Sequence, residues 1–229
     1  MPTPTAGARI AKDALFEGFA AIGKALASGR RIEILDLLAQ GERSVEDIAS
    51  ELKQSVANTS HHIRALAAAG LVRARRQGTR IFYRLAGVAV EELWSAVQRV
   101  GAEHLAGIEQ LVADYLGERG SVEVVGRTEL VRRLRRGEVT LVDVRPRLEF
   151  EAGHIAGARS VPLEELPRFL RALPKDADVV AYCRGPYCVY ADEAVRRLVR
   201  KGVRARRLVD GFPEWRRNGL PVRIGKETG

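Results

Sequence analysis

The sequence lacks a long uncharged hydrophobic run, and this absence argues against a membrane protein. Its longest stretch without Asp, Glu, Lys or Arg extends only from Gln54 to Ile63 and includes polar residues. Such a stretch is too short to cross a bilayer. The N-terminus also lacks the basic-then-apolar pattern of a secretory signal. We therefore expect a soluble, cytoplasmic protein with no membrane partner.

Cysteine is scarce as well. The only two cysteines among 229 residues are Cys183 and Cys188, in one short segment. This count excludes a fold stapled by a disulfide framework and points instead to local thiol chemistry. A composition of 46% hydrophobic and 29% charged residues excludes disorder. The length predicts one or two globular domains.

Acidic residues are absent between residues 52 and 90, although the chain as a whole is not short of them. The net charge is +9, but residues 1–118 contain 14 basic and 14 acidic residues, so the excess lies in residues 119–229. The overall charge is therefore weak evidence for nucleic-acid binding, and a local basic patch is better evidence. That patch consists of Lys53, Arg64, Arg73, Arg75, Arg76, Arg80 and Arg84.

The first half of the chain has the periodicity of helices. Apolar residues spaced three and four apart predict helices over Ala14 to Ala27 and Arg31 to Ala39. Ser44 opens a Ser-Val-Glu-Asp sequence that resembles a capping box and predicts a short helix to Leu52. Ser55 can cap a further helix from Val56 toward Ala69, and Gly70 can end it in a left-handed conformation.

A basic β-hairpin follows the helices, and the second half of the chain has the pattern of an α/β domain. Residues 71–85 alternate around Gln77-Gly78 and predict two antiparallel strands. Residues 88–116 predict one long helix, and residues 117–121 a polar linker.

Beyond the linker, short apolar strands alternate with helices, which is typical of a parallel α/β layer. We therefore expect two domains, residues 1–117 and 118–229. The predicted strands are Thr140 to Val144, Asp178 to Cys183 and Ala205 to Asp210, and the predicted helices are Thr128 to Arg136, Glu164 to Leu173, Val189 to Lys201 and Pro213 to Asn218.

Two helices followed by a basic hairpin suggest a winged helix-turn-helix, in which one helix enters the DNA major groove and the hairpin reaches the backbone. Helical spacing predicts an inward stripe on the second helix made of Val56, Ser60, Ile63 and Ala67. The alternative interpretation of the hairpin arginines is a solvated surface, and His62 is expected to pack or bond locally. The candidate DNA-binding residues are Ser55, Ala57, Asn58, Thr59, His61, Arg64, Arg73, Arg75, Arg76 and Arg80.

Three motifs carry a family resemblance in the first half: residues 52–63, Leu66-Ala-Ala-Ala-Gly-Leu-Val72, and the basic hairpin ending in Tyr83. Together they resemble the ArsR/SmtB winged-helix repressors over residues 12–116. The resemblance implies a homodimer joined by terminal helices and a pseudo-palindromic double-stranded DNA operator. The metal-binding thiolates of that family's metal sensors are missing from residues 44–52, and the last helix offers only His104 beside Glu103, so we expect no metal site.

The two cysteines delimit a tight loop in the second half. Cys183-Arg184-Gly185-Pro186-Tyr187-Cys188 connects a predicted buried strand to a helix beginning at Val189. A thiol there meets free backbone N–H groups and the positive end of a helix, which favour a thiolate or an anionic persulfide, and Arg184 adds positive charge. A Cys-x5-Arg phosphatase would need Arg at position 189, which is Val. Two thiolates also fill only half of a zinc shell, and we expect no cofactor.

A second resemblance rests on four separated motifs in one order: residues 141–145, residues 149–158 followed by Val161-Pro162, the cysteine loop, and residues 210–221. They resemble a single rhodanese domain over residues 120–224. The resemblance implies that Cys183 is the sulfur-accepting nucleophile, that Asp143 and Arg145 organise the site, and that His154 belongs to the scaffold.

Departures from the rhodanese pattern leave alternatives open. Pro186 removes a backbone donor, and Tyr187 and Cys188 replace basic or hydroxyl residues, which argues against efficient thiosulfate turnover. Cys188 is either a small buried residue at the helix start or a thiol that attacks a persulfide on Cys183. The excess basic charge of this half is interpreted as solvated helix faces; attraction of anions or DNA is the alternative.

The combined prediction is a dimeric DNA-binding regulator whose rhodanese domain senses or handles sulfane sulfur, with a persulfide donor or a small sulfur anion as ligand. A sulfurtransferase with an autoregulatory DNA-binding domain is the alternative from the enzyme class. A third hypothesis is a protein-binding module in which Cys183 is inert.

Overall fold

The computed structural model describes residues 6–117, 122–174 and 176–226. The chain divides into two compact units, residues 1–100 and 101–229. The predicted boundary after residue 117 stays a prediction, and residues 118–121 of the predicted linker lie outside the described residues. Within the described ranges, no helix is both long and apolar enough to span a membrane.

Unit 1 is mainly helical with a small antiparallel sheet, as expected for a winged helix-turn-helix. Its sheet has the order β1-β3-β2. Its elements are α1 (Ala6–Leu26), α2 (Gly29–Gln40), β1 (Arg43–Ser44), α3 (Val45–Glu51), α4 (Val56–Ala68), β2 (Val72–Gln77), β3 (Arg80–Leu85) and α5 (Val88–His104), which continues into unit 2.

Local capping explains where the central helices of unit 1 begin and end. The Ser44 hydroxyl accepts a hydrogen bond from the Asp47 N–H, and the Asp47 carboxylate accepts one from the Ser44 N–H, so the predicted capping box is present. Ser55 caps α4 by accepting the Asn58 N–H at 3.2 Å. Gly70 follows α4 with φ 72°, the left-handed conformation expected there.

The hairpin of unit 1 is formed by β2 and β3 with the register Gln77↔Arg80. Gly78, at φ 60°, makes the tight turn between the strands. The strand β1 adds to the outer side of β3 and connects the hairpin to the start of α3. The buried residues under the helices and hairpin include Ile34, Leu35, Leu38, Ile48, Ile63, Leu66, Val72 and Leu85.

The single long helix predicted for residues 88–116 is wrong. The structure contains two helices, α5 and α6 (Ile108–Leu116). Gly107 precedes α6 with φ 80°, a left-handed conformation that interrupts the regular helix. Apolar periodicity continued through this glycine and concealed the break.

Unit 2 contains the predicted parallel α/β layer. All neighbouring strands of its five-stranded sheet are parallel, in the order β4-β9-β8-β5-β7, and β10 pairs antiparallel with β6. The remaining elements are β4 (Val124–Val125), α7 (Arg127–Arg135), β5 (Thr140–Asp143), α8 (Arg147–Ala152), β6 (His154–Ile155), β7 (Arg159–Ser160), α9 (Leu166–Ala172), β8 (Asp178–Tyr182), α10 (Val189–Arg200), β9 (Arg204–Leu208), α11 (Phe212–Arg217) and β10 (Val222–Arg223).

Both faces of the unit 2 sheet are covered, and the central strand β8 contributes to both cores. Val179 and Ala181 pack in the cluster that contains α10, while Val180 and Tyr182 pack in the cluster that contains Trp215. This alternation follows from the two-residue period of a strand. The chain leaves β8 at its carboxyl end, the edge at which parallel α/β sheets bind ligands.

Candidate functional site

The exposed side of α4 presents polar and small residues. Ala57, Asn58, His61 and Arg64 are all exposed, as predicted. The Asn58 side-chain amide donates to Gln54 at 2.7 Å, and the Arg64 Nε donates to the Ser60 carbonyl at 3.3 Å. Asparagine and arginine offer the hydrogen-bonding groups that read base edges and phosphates. Ser55 lies at the start of this face, but its hydroxyl already caps the helix.

The predicted inward stripe of α4 needs correction. Thr59, Ile63 and Leu66 are its buried residues, whereas Val56 is 46% exposed and Ala67 is exposed. Thr59 was predicted to contact DNA, but its side chain is 0% exposed, so that assignment is wrong. A stripe spaced by four and three residues can start at either of two neighbouring positions, and only packing decides between them.

The hairpin carries the basic wing. Arg73, Arg75, Arg76 and Arg80 are exposed on β2 and β3. Arg75 Nε donates to the Glu42 carboxylate at 3.1 Å, and this hydrogen bond raises the pKa of Arg75. Arg80 donates to the Ser44 hydroxyl at 3.0 Å. These contacts hold two cations in fixed positions along one edge of the hairpin.

Arg73 differs from the other wing residues. Its strand partner is Arg84, which is also exposed, so two like charges stand opposite each other. Two like charges directly opposite each other on neighbouring strands are destabilising.

His62 is half-buried on α4. Its pKa is lowered by burial first, and then by the neighbouring charges of His61, Arg31 and Arg30. The lowered pKa favours the neutral form of the imidazole. Among the described residues, no group of three or more His, Cys, Asp and Glu residues is arranged to hold a metal ion.

In unit 2, the cysteine loop connects the end of β8 to the start of α10. Cys183 follows β8 directly and is 2% exposed. Cys188 is the N-cap of α10, and a disulfide joins the two, with their Cα atoms 6.2 Å apart. The Cys188 N–H donates to the Gly185 carbonyl at 3.2 Å, which closes the loop on itself. Both sulfurs therefore meet at the helix N-terminus.

Gly211, which was not among the predicted site residues, packs directly against the cysteine loop. A Cβ atom on Gly211 would overlap the Gly185 nitrogen and the Arg184 carbonyl, so only glycine permits this close approach. The next residue, Phe212, donates its N–H to the Cys183 carbonyl at 3.1 Å. The Asp-Gly-Phe-Pro sequence at residues 210–213 was the available signal for this contact.

Asp143, the last residue of β5, and Arg145 form a fully buried ion pair. Their side chains are both 0% exposed, and Arg145 Nη2 lies 2.6 Å from the Asp143 carboxylate. Arg145 Nη2 also donates to the Gly153 carbonyl at 2.7 Å, and the guanidinium lies 4.4 Å from the Phe212 ring centre. Burial opposes the charge of Arg145, but the Asp143 carboxylate outweighs it and raises the pKa of Arg145. Through the contact with Phe212, the ion pair stabilises the position of the segment that contains Gly211.

Arg184 does not add free positive charge to the loop, in contrast to the prediction. Its guanidinium donates to the Glu149 carboxylate at 2.6 and 3.1 Å. Glu149 is 1% exposed and lies in α8, outside the predicted site. The remaining predicted loop residues, Gly185, Pro186 and Tyr187, are half-buried between these contacts.

His154 is buried away from the solvent. Its Nδ1 lies 2.8 Å from the Phe150 carbonyl, and its ring stacks on Phe150 with the centroids 3.6 Å apart. These contacts place His154 in the scaffold, as the family resemblance implied.

Comparisons with known proteins identify the families of the two parts of the chain. Residues 28–74 match the model of bacterial regulatory proteins of the arsR family, and residues 127–218 match the rhodanese-like domain. The HTH-type transcriptional regulator Rv0324 of Mycobacterium tuberculosis is 50% identical over 224 residues, which cover 98% of each chain. A protein of Allochromatium vinosum named sulfurtransferase is 37% identical over 86 residues, covering 37% of this chain and 78% of its own.

Among solved structures, one similar protein is a fragment of Mb0332 from Mycobacterium bovis, described as a homodimeric winged helix-turn-helix DNA-binding domain. It is 48% identical, with a TM-score of 0.42, and the match covers 46% of this chain and 94% of the fragment. The full-length identity to Rv0324 extends through both units. The chain therefore belongs to the ArsR family of HTH-type transcriptional regulators, as a member whose DNA-binding winged helix-turn-helix is followed by a rhodanese-like domain.

Proposed function

We propose that this regulator senses sulfane sulfur through Cys183 and that the sulfur state of Cys183 sets its affinity for operator DNA. The observation that carries the proposal is the placement of Cys183. It is nearly buried at the carboxyl end of the central strand and within disulfide distance of a second cysteine at a helix N-terminus. Such a position favours a thiolate and stabilises an anionic persulfide.

The first chemical step is sulfur loading of the reduced protein. The Cys183 thiolate attacks the outer sulfur of a donor R–S–SH, the S–S bond of the donor breaks, and RS⁻ leaves. Cys183 then carries the persulfide Cys183–S–SH. The backbone N–H groups at the start of α10 stabilise the deprotonated form of this persulfide.

The second step uses Cys188, for which the sequence left two interpretations. A Cys188 thiolate attacks the inner sulfur of the persulfide, HS⁻ leaves, and the Cys183–Cys188 disulfide forms. The two thiols supply the electrons that reduce the sulfane sulfur to sulfide, so no further oxidant is needed. The disulfide of the structure corresponds to this product.

DNA recognition is assigned to unit 1. The exposed face of α4 enters the major groove, and the wing arginines contact phosphates of a pseudo-palindromic operator. A homodimer is favoured by exposed apolar residues on α1 and on the α5–α6 segment. They are Ile10, Leu15, Phe16 and Phe19 on α1, and Val100, Leu105, Leu111 and Tyr115 on α5–α6.

Sulfur state changes DNA affinity only if the loaded or disulfide form favours a different conformation or dimer geometry from the reduced form. We expect sulfur loading to weaken operator binding, by analogy with derepression in ArsR-type regulators. The physiological outcome is release of the operator when persulfides accumulate.

The test is a fluorescence-anisotropy titration of promoter DNA from the protein's own operon at one fixed salt concentration. Reduced protein is compared with polysulfide-treated protein whose loading is verified by intact mass. We expect weaker binding after loading, no shift in Cys183→Ser, and a persulfide that persists without disulfide in Cys188→Ser. Unchanged affinity after verified loading would contradict the proposal.

A sulfurtransferase with an autoregulatory DNA-binding unit is the second candidate. The similarity to the protein named sulfurtransferase favours it. Steady-state thiocyanate formation that disappears in Cys183→Ser, together with DNA affinity that ignores sulfur state, would identify this function instead.

A further inference from the structure

The cysteine loop contains one ionisable cation, and a buried carboxylate neutralises it. Arg184 is the only Lys or Arg between Cys183 and Cys188. Its guanidinium lies 2.6 Å from Glu149, and the two side chains are 14% and 1% exposed. In such a shielded place, the charge of the carboxylate acts on any bound anion almost as strongly as that of the guanidinium.

The loop also has few backbone donors for an oxyanion. Pro186 has no N–H, and the Cys188 N–H is already bonded to the Gly185 carbonyl at 3.2 Å. Gly211 packs against the Arg184–Gly185 peptide. The loop is therefore closely packed and offers a bound dianion few backbone N–H donors.

A second acid, the half-buried Glu214, lies beside the loop. Glu214 Oε2 is 3.7 Å from the position of a Cβ on Gly185, and its carboxylate pairs with Arg217 at 3.2 Å. Burial raises the pKa of Glu214. The Tyr190 ring lies 5.7 Å from the Arg184 guanidinium and carries no charge.

We propose that Glu149 determines donor specificity: by pairing with Arg184 it keeps the loop electrically neutral, so that the site accepts persulfides with one negative charge and discriminates against dianionic thiosulfate. This inference rests on the proposed function and names the donor class of the same site. Glu149 acts through Arg184 and is a specificity residue, not a catalytic one.

The test changes the charge while keeping the shape. Glu149→Gln retains a hydrogen-bond acceptor for Arg184 and leaves its charge uncompensated. Reduced protein in a Cys188→Ser background, in which no disulfide can end the turnover, is assayed with thiosulfate, which gives a Cys183 persulfide and sulfite, and then with cyanide, which removes the sulfur as thiocyanate. We expect the KM for thiosulfate to fall on the order of tenfold at low salt, with a smaller change in kcat, and the gain to shrink as salt rises.

The comparison donor is the persulfide of 2-mercaptoethanol, whose only charge is on the persulfide. Its rate of loading Cys183 should change less than about threefold in Glu149→Gln, because a single charge couples more weakly to Arg184 than two. Glu129→Gln is the matched control. It makes the same formal change on exposed α7, where Glu129 pairs with Arg132 and Arg133, and should leave the KM for thiosulfate unaltered.

A pH profile separates electrostatics from a merely structural effect. In a Cys188→Ser background, alkylation of Cys183 by iodoacetamide should reach its half-maximal rate at lower pH when Glu149 is replaced by Gln. The added positive charge favours the thiolate. The same midpoint in both proteins would argue against the proposal.

The double variant Glu149→Gln/Arg184→Gln removes both charges and serves if the single variant does not fold. In the same Cys188→Ser background, its KM for thiosulfate should equal that of the protein that keeps Glu149 and Arg184, because a neutral pair is replaced by a neutral pair. A rise of more than about threefold would mean that Arg184 attracts thiosulfate despite Glu149 and would overturn the inference.

The two levels of the proposal fail differently. Normal persulfide loading without a thiosulfate gain in Glu149→Gln overturns the specificity role and leaves the proposed function standing. Failure of every donor to load Cys183 in the unmodified protein overturns both.

Discussion

The burial of Thr59 could not be predicted from the residues next to it in the sequence. It follows the exposed Asn58 on the recognition helix, yet its side chain is fully buried, and its hydroxyl has no hydrogen-bond partner among the described residues. A buried hydroxyl without a partner costs about 1–3 kcal/mol. The residue therefore serves packing, and the exposed side of α4 is left to Asn58, His61 and Arg64.

Replacement of Thr59 by Val should accordingly leave DNA binding intact. Thr59→Val removes the buried hydroxyl and keeps the branched shape, so we expect the free energy of unfolding to stay equal or rise by about 1 kcal/mol in urea titrations. Asn58→Ala, the exposed control next to it, should weaken operator binding by about 1–3 kcal/mol. A clear loss of DNA affinity in Thr59→Val would indicate that Thr59 contacts DNA after all.

At the scale of elements, the β2–β3 hairpin combines ion-paired arginines with two arginines that face each other. Arg75 and Arg80 lie 5.3 and 5.6 Å from the Phe82 ring centre and contact carboxylates of Glu42 and Asp47. Arg73 faces Arg84 instead. The first arrangement positions the wing, and the second leaves charge available for a phosphate.

Arg73→Ala should weaken DNA binding uniformly across sequences and reduce the slope of log K against log salt by about 1, since one phosphate contact is lost. Anisotropy titrations over a salt series measure that slope. Arg135→Ala, which removes an exposed arginine from α7, is the matched control and should leave the slope unchanged. An identical slope in Arg73→Ala and the unmodified protein would remove Arg73 from the DNA interface.

At the scale of the whole molecule, the exposed apolar residues of α1 favour an interface with a partner surface. Leu15, Phe16 and Phe19 are 55–60% exposed, and the rings of Phe16 and Phe19 pack edge to face at 6.2 Å. A cluster of this kind is typical of an interface between copies of a chain.

Phe19→Asp should shift the protein from dimer to monomer in sedimentation equilibrium, raising the dimer Kd by about 100-fold, because a charge replaces a buried aromatic anchor. It should also weaken binding to a palindromic operator far more than to a half-site. Val199→Asp changes another exposed apolar residue, on α10, which is 50% exposed, and this variant should remain dimeric. A dimeric Phe19→Asp protein would place the interface elsewhere.

Much of the local structure was predictable because its causes are local. The Ser44–Asp47 capping box, the Ser55 cap and the left-handed Gly70 and Gly78 each depend on a few neighbouring residues. The strand preceding Cys183 was predictable for the same reason. The break at Gly107 was missed because apolar spacing continued on both sides of it.

By itself, the amino-acid sequence determined the winged helix, the parallel α/β layer and the position of Cys183 between a strand and a helix, because periodicity and capping are short-range properties. Only the tertiary structure decided that Thr59 is buried, that Gly211 holds the cysteine loop, and that Glu149 neutralises Arg184. Glu149 and Arg184 are 35 residues apart in the chain. Contacts over such distances depend on how packed elements meet, and no local pattern encodes which buried charge faces which.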